Sequence, residues 1–289
     1  MRIWADRKDV LEDVYQILQG LVRRKQSTIN LLWAWYGAGK SHTLLHITHL
    51  CKEKFNTLLP VYTEYPKTAR SFRDLYCSMA TGLPEELRSE IKVKTSDDAV
   101  QALADSVQKI QSAGFNRVIW MIDEFQRIGS ERKNAWEDIV TGLHSSFNHA
   151  PNSFSLFLSF SVREKKEMFC LFSKELIDRI GIQKVIEIPA MTSSEALIFV
   201  SDLLYEFRSS DSHPTPWFPF EEETVRYIIW LLEERAELKP RSIMQYFSAV
   251  LERAESMLAM GTVKTIALEF AKQVLTGYDL FLYSSASGG

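Results

Sequence analysis

Residues 34–42 combine small residues with a lysine, a serine and a histidine, in the order Ala-Trp-Tyr-Gly-Ala-Gly-Lys-Ser-His. They lie between a short apolar run and a segment with helical spacing, which is the context that a phosphate-binding loop requires. Lys40 would contact the β- and γ-phosphates of a nucleotide, and the Ser41 hydroxyl would complete a Mg²⁺ shell. The residues expected to bind the nucleotide are Ala34, Gly37, Ala38, Gly39, Lys40, Ser41 and His42.

Ala34 is the one departure from the usual pattern of this loop, which has a glycine at that position. Alanine is small enough to be tolerated there. The alternative is an ordinary glycine-containing turn before a helix, and the flanking strand and helix favour phosphate binding over it.

A pair of carboxylates follows a second apolar run. Residues 117–122 read Arg-Val-Ile-Trp-Met-Ile, as expected for a central parallel strand covered on both faces. Asp123, at the end of this strand, can hold Mg²⁺ through water beside the phosphate loop. Glu124 can orient and deprotonate the attacking water, so Glu124 and Lys40 are expected to be catalytic. The phosphate loop upstream disfavours the alternative of a solvated acidic pair that starts a helix.

Apolar periodicity predicts the elements that position these two motifs. The predicted strands are 28–33, 58–65, 117–122, 154–162 and 184–188. They alternate with predicted helices at 5–21, 40–54, 71–83, 97–113, 135–147 and 171–180. This alternation indicates an α/β fold, a three-layer P-loop NTPase sandwich with a parallel sheet.

After residue 190 the pattern changes to helices alone. They are predicted at 193–204, 221–234, 240–257 and 263–275. We therefore expect a nucleotide-binding α/β domain at 1–190 and a small all-helical lid domain at 191–283. Residues 284–289 read Ser-Ser-Ala-Ser-Gly-Gly, a composition typical of a flexible tail.

The composition of the 289-residue chain, 46% hydrophobic and 25% charged, is that of a globular protein with a sizeable core. A net charge of −3 provides no bulk attraction to nucleic acid, so any such binding would need a local patch or the surface of an assembly. Three widely spaced cysteines suggest reduced thiols. No apolar run is long enough to span a bilayer, and no signal peptide is evident, so a cytoplasmic location is expected.

Two groups of residues keep alternative interpretations. A run of three cations follows the first helix and suits either a solvated helix end or contact with a phosphate backbone: Arg23, Arg24 and Lys25. Three histidines share one face of the helix after the phosphate loop: His42, His46 and His49. Surface or packing histidines are favoured over a metal cluster, because no cysteine or acidic partner supports one.

With these motifs in place, the sequence resembles the AAA+ ATPases over about residues 5–275. The polar residue that ends the fourth strand resembles sensor 1, with Ser161 as the first choice and Ser159 as the second. Arg179, in the segment 175–180, resembles the arginine finger of the family. Arg241, in Lys-Pro-Arg-Ser at 239–242, resembles sensor 2. The alternative for Arg179 is an ordinary surface arginine, and the alternative for Arg241 is a plain capped helix.

Within that family the helix–strand start and the Ile-Asp-Glu-Phe-Gln run resemble the initiator-like clade, which includes origin-recognition ATPases and TnsC/TniB-type transposition regulators. The resemblance implies ATP and Mg²⁺ as cofactors. It also implies a homo-oligomer with head-to-tail contacts, as a ring or a filament, and an ATP-driven assembly switch on DNA with a protein partner.

The alternative is a signalling or scaffold ATPase of a phage-defence complex with slow hydrolysis, since such components look similar around residues 36–45. No winged-helix pattern follows the lid, and neither a second ATPase module nor an aromatic pore loop is evident. The sequence therefore does not identify the molecule on which this ATPase acts.

Overall fold

Five apolar segments form one parallel sheet in the computed structural model, which describes residues 7–180, 185–207 and 215–286, with side chains as far as residue 277. The strands are β1 (Thr28–Ala34), β2 (Leu58–Glu64), β3 (Arg117–Asp123), β4 (Phe154–Phe160) and β5 (Val185–Ile188). Their order across the sheet is β2-β3-β4-β1-β5. The carboxyl ends of β1, β3 and β4 therefore lie side by side.

The strands are connected by helices, as the alternation in the sequence predicts. These helices are α1 (Lys8–Arg23), α2 (Lys40–Lys54), α3 (Phe72–Thr81), α4 (Ser96–Ser112), α5 (Lys133–His149), α6 (Lys165–Phe169) and α7 (Lys174–Ile177). Short 3₁₀ segments occur at Glu85–Leu87 and Phe125–Ser130. Local sequence sets several helix ends: Thr95 and Asp98 form a capping box at the start of α4, and Gly114, with φ of 93°, follows its end.

Side chains of the central strand alternate between two helical layers. Trp120 and Ile122 of β3 belong to the core cluster built with α3, α4 and α5. Met121 points to the other face, where the Thr48 hydroxyl of α2 contacts its sulfur at 3.9 Å. The sheet is thus covered on both faces, which confirms the predicted three-layer α/β fold.

The C-terminal unit is helical. It consists of α8 (Ser193–Glu206), α9 (Glu222–Glu234), α10 (Pro240–Ala259) and α11 (Leu268–Ala286), with a core of its own. Thr192 and Glu195 form a capping box for α8, and Pro240 occupies the first turn of α10. Among the described residues after β5, the only β pairing is a single bridge between Phe220 and Ile266.

The fold has two compact units, residues 9–188 and residues 1–8 with 189–289. None of the described helices has the length and apolar character needed to cross a bilayer.

Three predicted elements differ from the structure. Within the helix predicted at 171–180 only the short α7 forms, because Ser173 caps it through the backbone N–H of Leu176, and α6 precedes the predicted range. The last helix begins at Leu268 rather than 263, since Ile266 pairs with Phe220 in an extended bridge. Residues 284–286 of the predicted tail continue α11, and 287–289 lie outside the described residues, as does Lys184 of the predicted fifth strand.

Candidate nucleotide-binding and catalytic site

The loop between β1 and α2 has the backbone that a phosphate-binding loop needs. Ala34 ends β1 and is buried, so its methyl group packs inside the protein. Gly37 and Gly39 have φ of 79° and 104°, a region that L side chains rarely adopt. The Ala38 N–H donates to the Trp35 carbonyl at 3.1 Å, which closes the turn. These conformations bring the loop directly into the N-terminus of α2.

Lys40, Ser41 and His42 form the first turn of α2. Lys40 is only 5% exposed, and its ammonium group lies 3.5 Å from the carbonyl oxygen of Trp35, within its own loop. The Ser41 hydroxyl donates to Oδ2 of Asp123 at the end of β3. His42 is half-buried on the same turn. Two of the predicted motifs therefore touch, through Ser41 and Asp123.

Asp123 is the centre of a hydrogen-bond network at the end of β3, although it is only 2% exposed. Its Oδ2 accepts from Ser41 and from the Tyr62 hydroxyl, the latter at 3.1 Å. Its Oδ1 accepts from the Ser159 hydroxyl and from the Glu124 N–H, the latter at 2.9 Å. Four donors hold this carboxylate in one orientation and replace the hydrogen bonds to water that it loses on burial.

Glu124 adopts a left-handed backbone conformation, with φ of 56° and ψ of 34°. A residue other than glycine is uncommon in this region, and such strain is frequent at functional sites. Its Oε2 accepts from the Gln126 side-chain amide at 2.8 Å and lies 3.8 Å from the Arg127 guanidinium. The carboxylate is therefore held by side chains that follow it in the chain.

The two serines proposed for sensor 1 occupy different environments. Ser159 lies inside β4 and is buried; its hydroxyl donates to Asp123 and accepts from the Glu124 N–H at 3.1 Å. Ser161 follows β4, and its backbone N–H donates to the side-chain amide oxygen (Oε1) of Gln126 at 3.1 Å. The Ser161 hydroxyl is buried and makes no hydrogen bond within the described residues. Only the side chain of Ser159 contacts the acidic pair.

The two candidate arginines lie on different parts of the chain. Arg179 follows α7 and donates to the Asn148 side chain at 3.2 Å, with its guanidinium 5.8 Å from the Phe147 ring centre. Since α5 leads back to the start of β4, Arg179 lies toward the amino ends of the strands. Arg241 lies in the first turn of α10, directly after Pro240.

The structure adds three residues to which the sequence pattern assigned no role: Tyr62, Gln126 and Arg127. Burial and the neighbouring Asp123 carboxylate raise the pKa of Tyr62, so its hydroxyl keeps the proton that it donates. The Arg127 guanidinium donates to the Tyr65 carbonyl at 3.1 Å as well as lying near Glu124. The only available signal was position: Tyr62 lies near the end of a strand, and the other two follow the acidic pair.

The donor set suits a magnesium ion. Mg²⁺ prefers oxygen ligands and is usually held by one or two protein oxygens together with substrate phosphates. The hydroxyl of Ser41 and the carboxylate of Asp123 are already in contact, beside the loop that would hold the phosphates. A small ion could therefore bind between these two side chains, with a water molecule between the ion and Asp123.

A family model matches the part of the chain that contains this site. The AAA domain family matches residues 23–164, which contain the phosphate loop and the acidic pair. No curated protein matches the chain by sequence.

Solved structures match over most of the chain. The ORC2 protein of Aeropyrum pernix in its ADPNP–ADP complexes has 17% identity and a TM-score of 0.67, over 96% of this chain and 68% of that one. The Aeropyrum pernix ORC1 protein in complex with DNA has 12% identity and a TM-score of 0.66, over 94% and 65%. Domain III of the Thermotoga maritima replication initiation protein DnaA has 15% identity and a TM-score of 0.55, over 92% and 91%.

The parallel sheet, the phosphate loop and the acidic pair define a P-loop nucleoside triphosphatase. Residues 23–164 are an AAA ATPase domain, and the chain has the fold of the initiator structures named above. The expected family and the expected activity class are confirmed.

Proposed function

We propose that this AAA+ ATPase is a Mg²⁺-dependent switch that assembles with ATP, on DNA and with a protein partner, and dissociates after hydrolysis. The observation that carries the proposal is the contact between Ser41 of the phosphate loop and Asp123, with Glu124 adjacent. This arrangement has a nucleotide cradle, an oxygen-ligand set and a base in a single site, as ATP hydrolysis needs.

In this proposal each residue has a separate task. Lys40 exchanges its contact with the Trp35 carbonyl for phosphate oxygens. Ser41 and Asp123 would hold Mg²⁺, which would neutralise charge on the phosphates. Glu124 orients the attacking water and takes its proton. Ser159 holds Asp123 and the backbone of Glu124 in position through its hydroxyl.

Assembly and DNA binding are the further part of the proposal. The Aeropyrum pernix ORC1 structure is a complex with DNA, and this chain has the same fold. Arg179 is proposed to reach the γ-phosphate on a neighbouring copy, and Arg241 to contact nucleotide in its own chain as sensor 2. A head-to-tail contact of this kind makes ATP part of the interface, so that bound ATP favours assembly.

Steady-state ATPase activity with and without duplex DNA tests the switch. The expected result is strong stimulation by DNA in the parent chain. Glu124→Gln should bind ATP but turn over about 10²-fold more slowly, because the base is lost. Slow turnover that DNA does not change would contradict the DNA-linked switch and favour the signalling or scaffold alternative.

Mixing two inactive variants tests whether the site is shared. In a mixture of Glu124→Gln and Arg179→Ala, some interfaces pair an intact base with an intact arginine, so part of the activity should return. Arg163→Ala, an exposed arginine after β4, is the control in the same mixture. If mixed assemblies form with Arg179→Ala and no ATPase activity returns, Arg179 is not the arginine finger. If activity returns with Arg163→Ala instead, Arg163 has that role.

A further inference from the structure

Gln126 lies between two parts of the candidate site. It belongs to the 3₁₀ segment that follows Glu124, and its side chain is half-buried. One end of its amide contacts the Glu124 carboxylate, and the other contacts the backbone of Ser161 just beyond β4. It therefore bridges β3 and β4 at the carboxyl edge of the sheet.

The orientation of this amide follows from its partners. The Ser161 backbone N–H can only donate, so it requires the carbonyl oxygen of Gln126, which it reaches at 3.1 Å. The –NH₂ group of Gln126 then faces Glu124 and donates to its Oε2 at 2.8 Å. A reversed amide would place two donors together and two acceptors together. The Gln126 amide can therefore form both hydrogen bonds in only one of its two orientations.

The bridge also distinguishes the two oxygens of Glu124. Oε2 accepts from Gln126 and faces Arg127 at a longer 3.8 Å. Oε1 accepts no hydrogen bond from the described residues. The bonded oxygen is fixed by the amide, and the other oxygen is left to accept from a water molecule. A single side-chain amide can in this way select which oxygen acts as the base.

We infer that Gln126 is a positioning residue for the hydrolytic step: its amide holds Glu124 so that Oε1 faces the attacking water. This inference rests on the proposed role of Glu124 as the base. Because the same amide accepts from Ser161, a displacement at the end of β4 moves the Glu124 carboxylate as well. Misplacing a catalytic group by about 1 Å can lower the rate about 10²-fold.

Two substitutions separate the two ends of the bridge. Gln126→Glu keeps an oxygen for the Ser161 N–H but removes the donor to Glu124, whereas Gln126→Met has a similar length and removes both contacts. Both variants should lower kcat on the order of 10²-fold. Their affinity for a non-hydrolysable ATP analogue and their thermal unfolding should stay close to those of the parent chain, because neither contact involves the phosphate loop.

A double-mutant cycle with Glu124→Gln supplies the decisive comparison. If Gln126 acts through the Glu124 carboxylate, adding Gln126→Glu to Glu124→Gln should change the residual rate by less than about twofold. If Gln126→Glu lowers kcat equally in the parent chain and in Glu124→Gln, the inference is wrong. It is also wrong if Gln126→Met lowers kcat and Gln126→Glu does not. If Glu124→Gln itself keeps the parent rate, the base is misassigned and the proposed function fails instead.

Discussion

Replacing Ser159 by alanine is the sharpest test of the site, because the sequence favours Ser161 as sensor 1 whereas the hydroxyl that contacts Asp123 is that of Ser159. Its hydroxyl joins Asp123 to the Glu124 backbone, so the substitution removes two hydrogen bonds, one of them to a charged acceptor. A bond to a charged group is worth about 1.5–3 kcal/mol. The Glu124 N–H keeps its own contact with Asp123 at 2.9 Å, so the lower end applies. That predicts about a tenfold fall in kcat/KM.

Ser161→Ala is the matched control two residues away. The Ser161 hydroxyl is buried and makes no hydrogen bond within the described part of the chain, and only its backbone contacts Gln126. Its removal should change kcat/KM by less than about twofold. The assay is steady-state ATPase activity at saturating Mg²⁺, with thermal unfolding of both variants as a check on folding. A larger loss in Ser161→Ala than in Ser159→Ala would refute the assignment and make Ser161 the sensor.

Three further substitutions test separate features. Lys40→Ala should weaken binding of a fluorescent ATP analogue at least about tenfold, because it removes the cation of the phosphate loop; unchanged binding would mean that the loop is misassigned. Tyr62→Phe should raise the Mg²⁺ concentration needed for half-maximal turnover about threefold, since Asp123 loses one of its four donors, and an unchanged Mg²⁺ dependence would contradict that role. Arg117→Met should lower the free energy of unfolding in urea by about 3 kcal/mol. Arg117 is 1% exposed, and its guanidinium donates to the carbonyls of 24, 25, 26 and 154; a loss below about 1 kcal/mol would show that water replaces these bonds.

The phosphate loop and the acidic pair could be predicted because each is a short, local pattern. The run from Ala34 to Ser41 needs glycines at two positive-φ positions and a helix start, and both requirements are visible along the chain. The apolar run before Asp123 likewise marks a central strand. Such signals depend on neighbours in sequence, so they predict an element and its chemistry together. The end of the fourth strand was less certain, because Ser159 and Ser161 are two residues apart and share the same strand periodicity.

The sequence alone therefore determined the α/β class, the nucleotide loop and the carboxylates, through hydrophobic period, glycine position and charge. Tertiary structure alone decided which side chains hold those carboxylates. Tyr62 reaches Asp123 from the neighbouring strand β2, and Gln126 meets the backbone of Ser161 beyond β4. Such contacts depend on the order and register of strands that are distant in the chain. A shift of one residue in the register of β2 would turn Tyr62 to the other face of the sheet, and no local pattern encodes that choice.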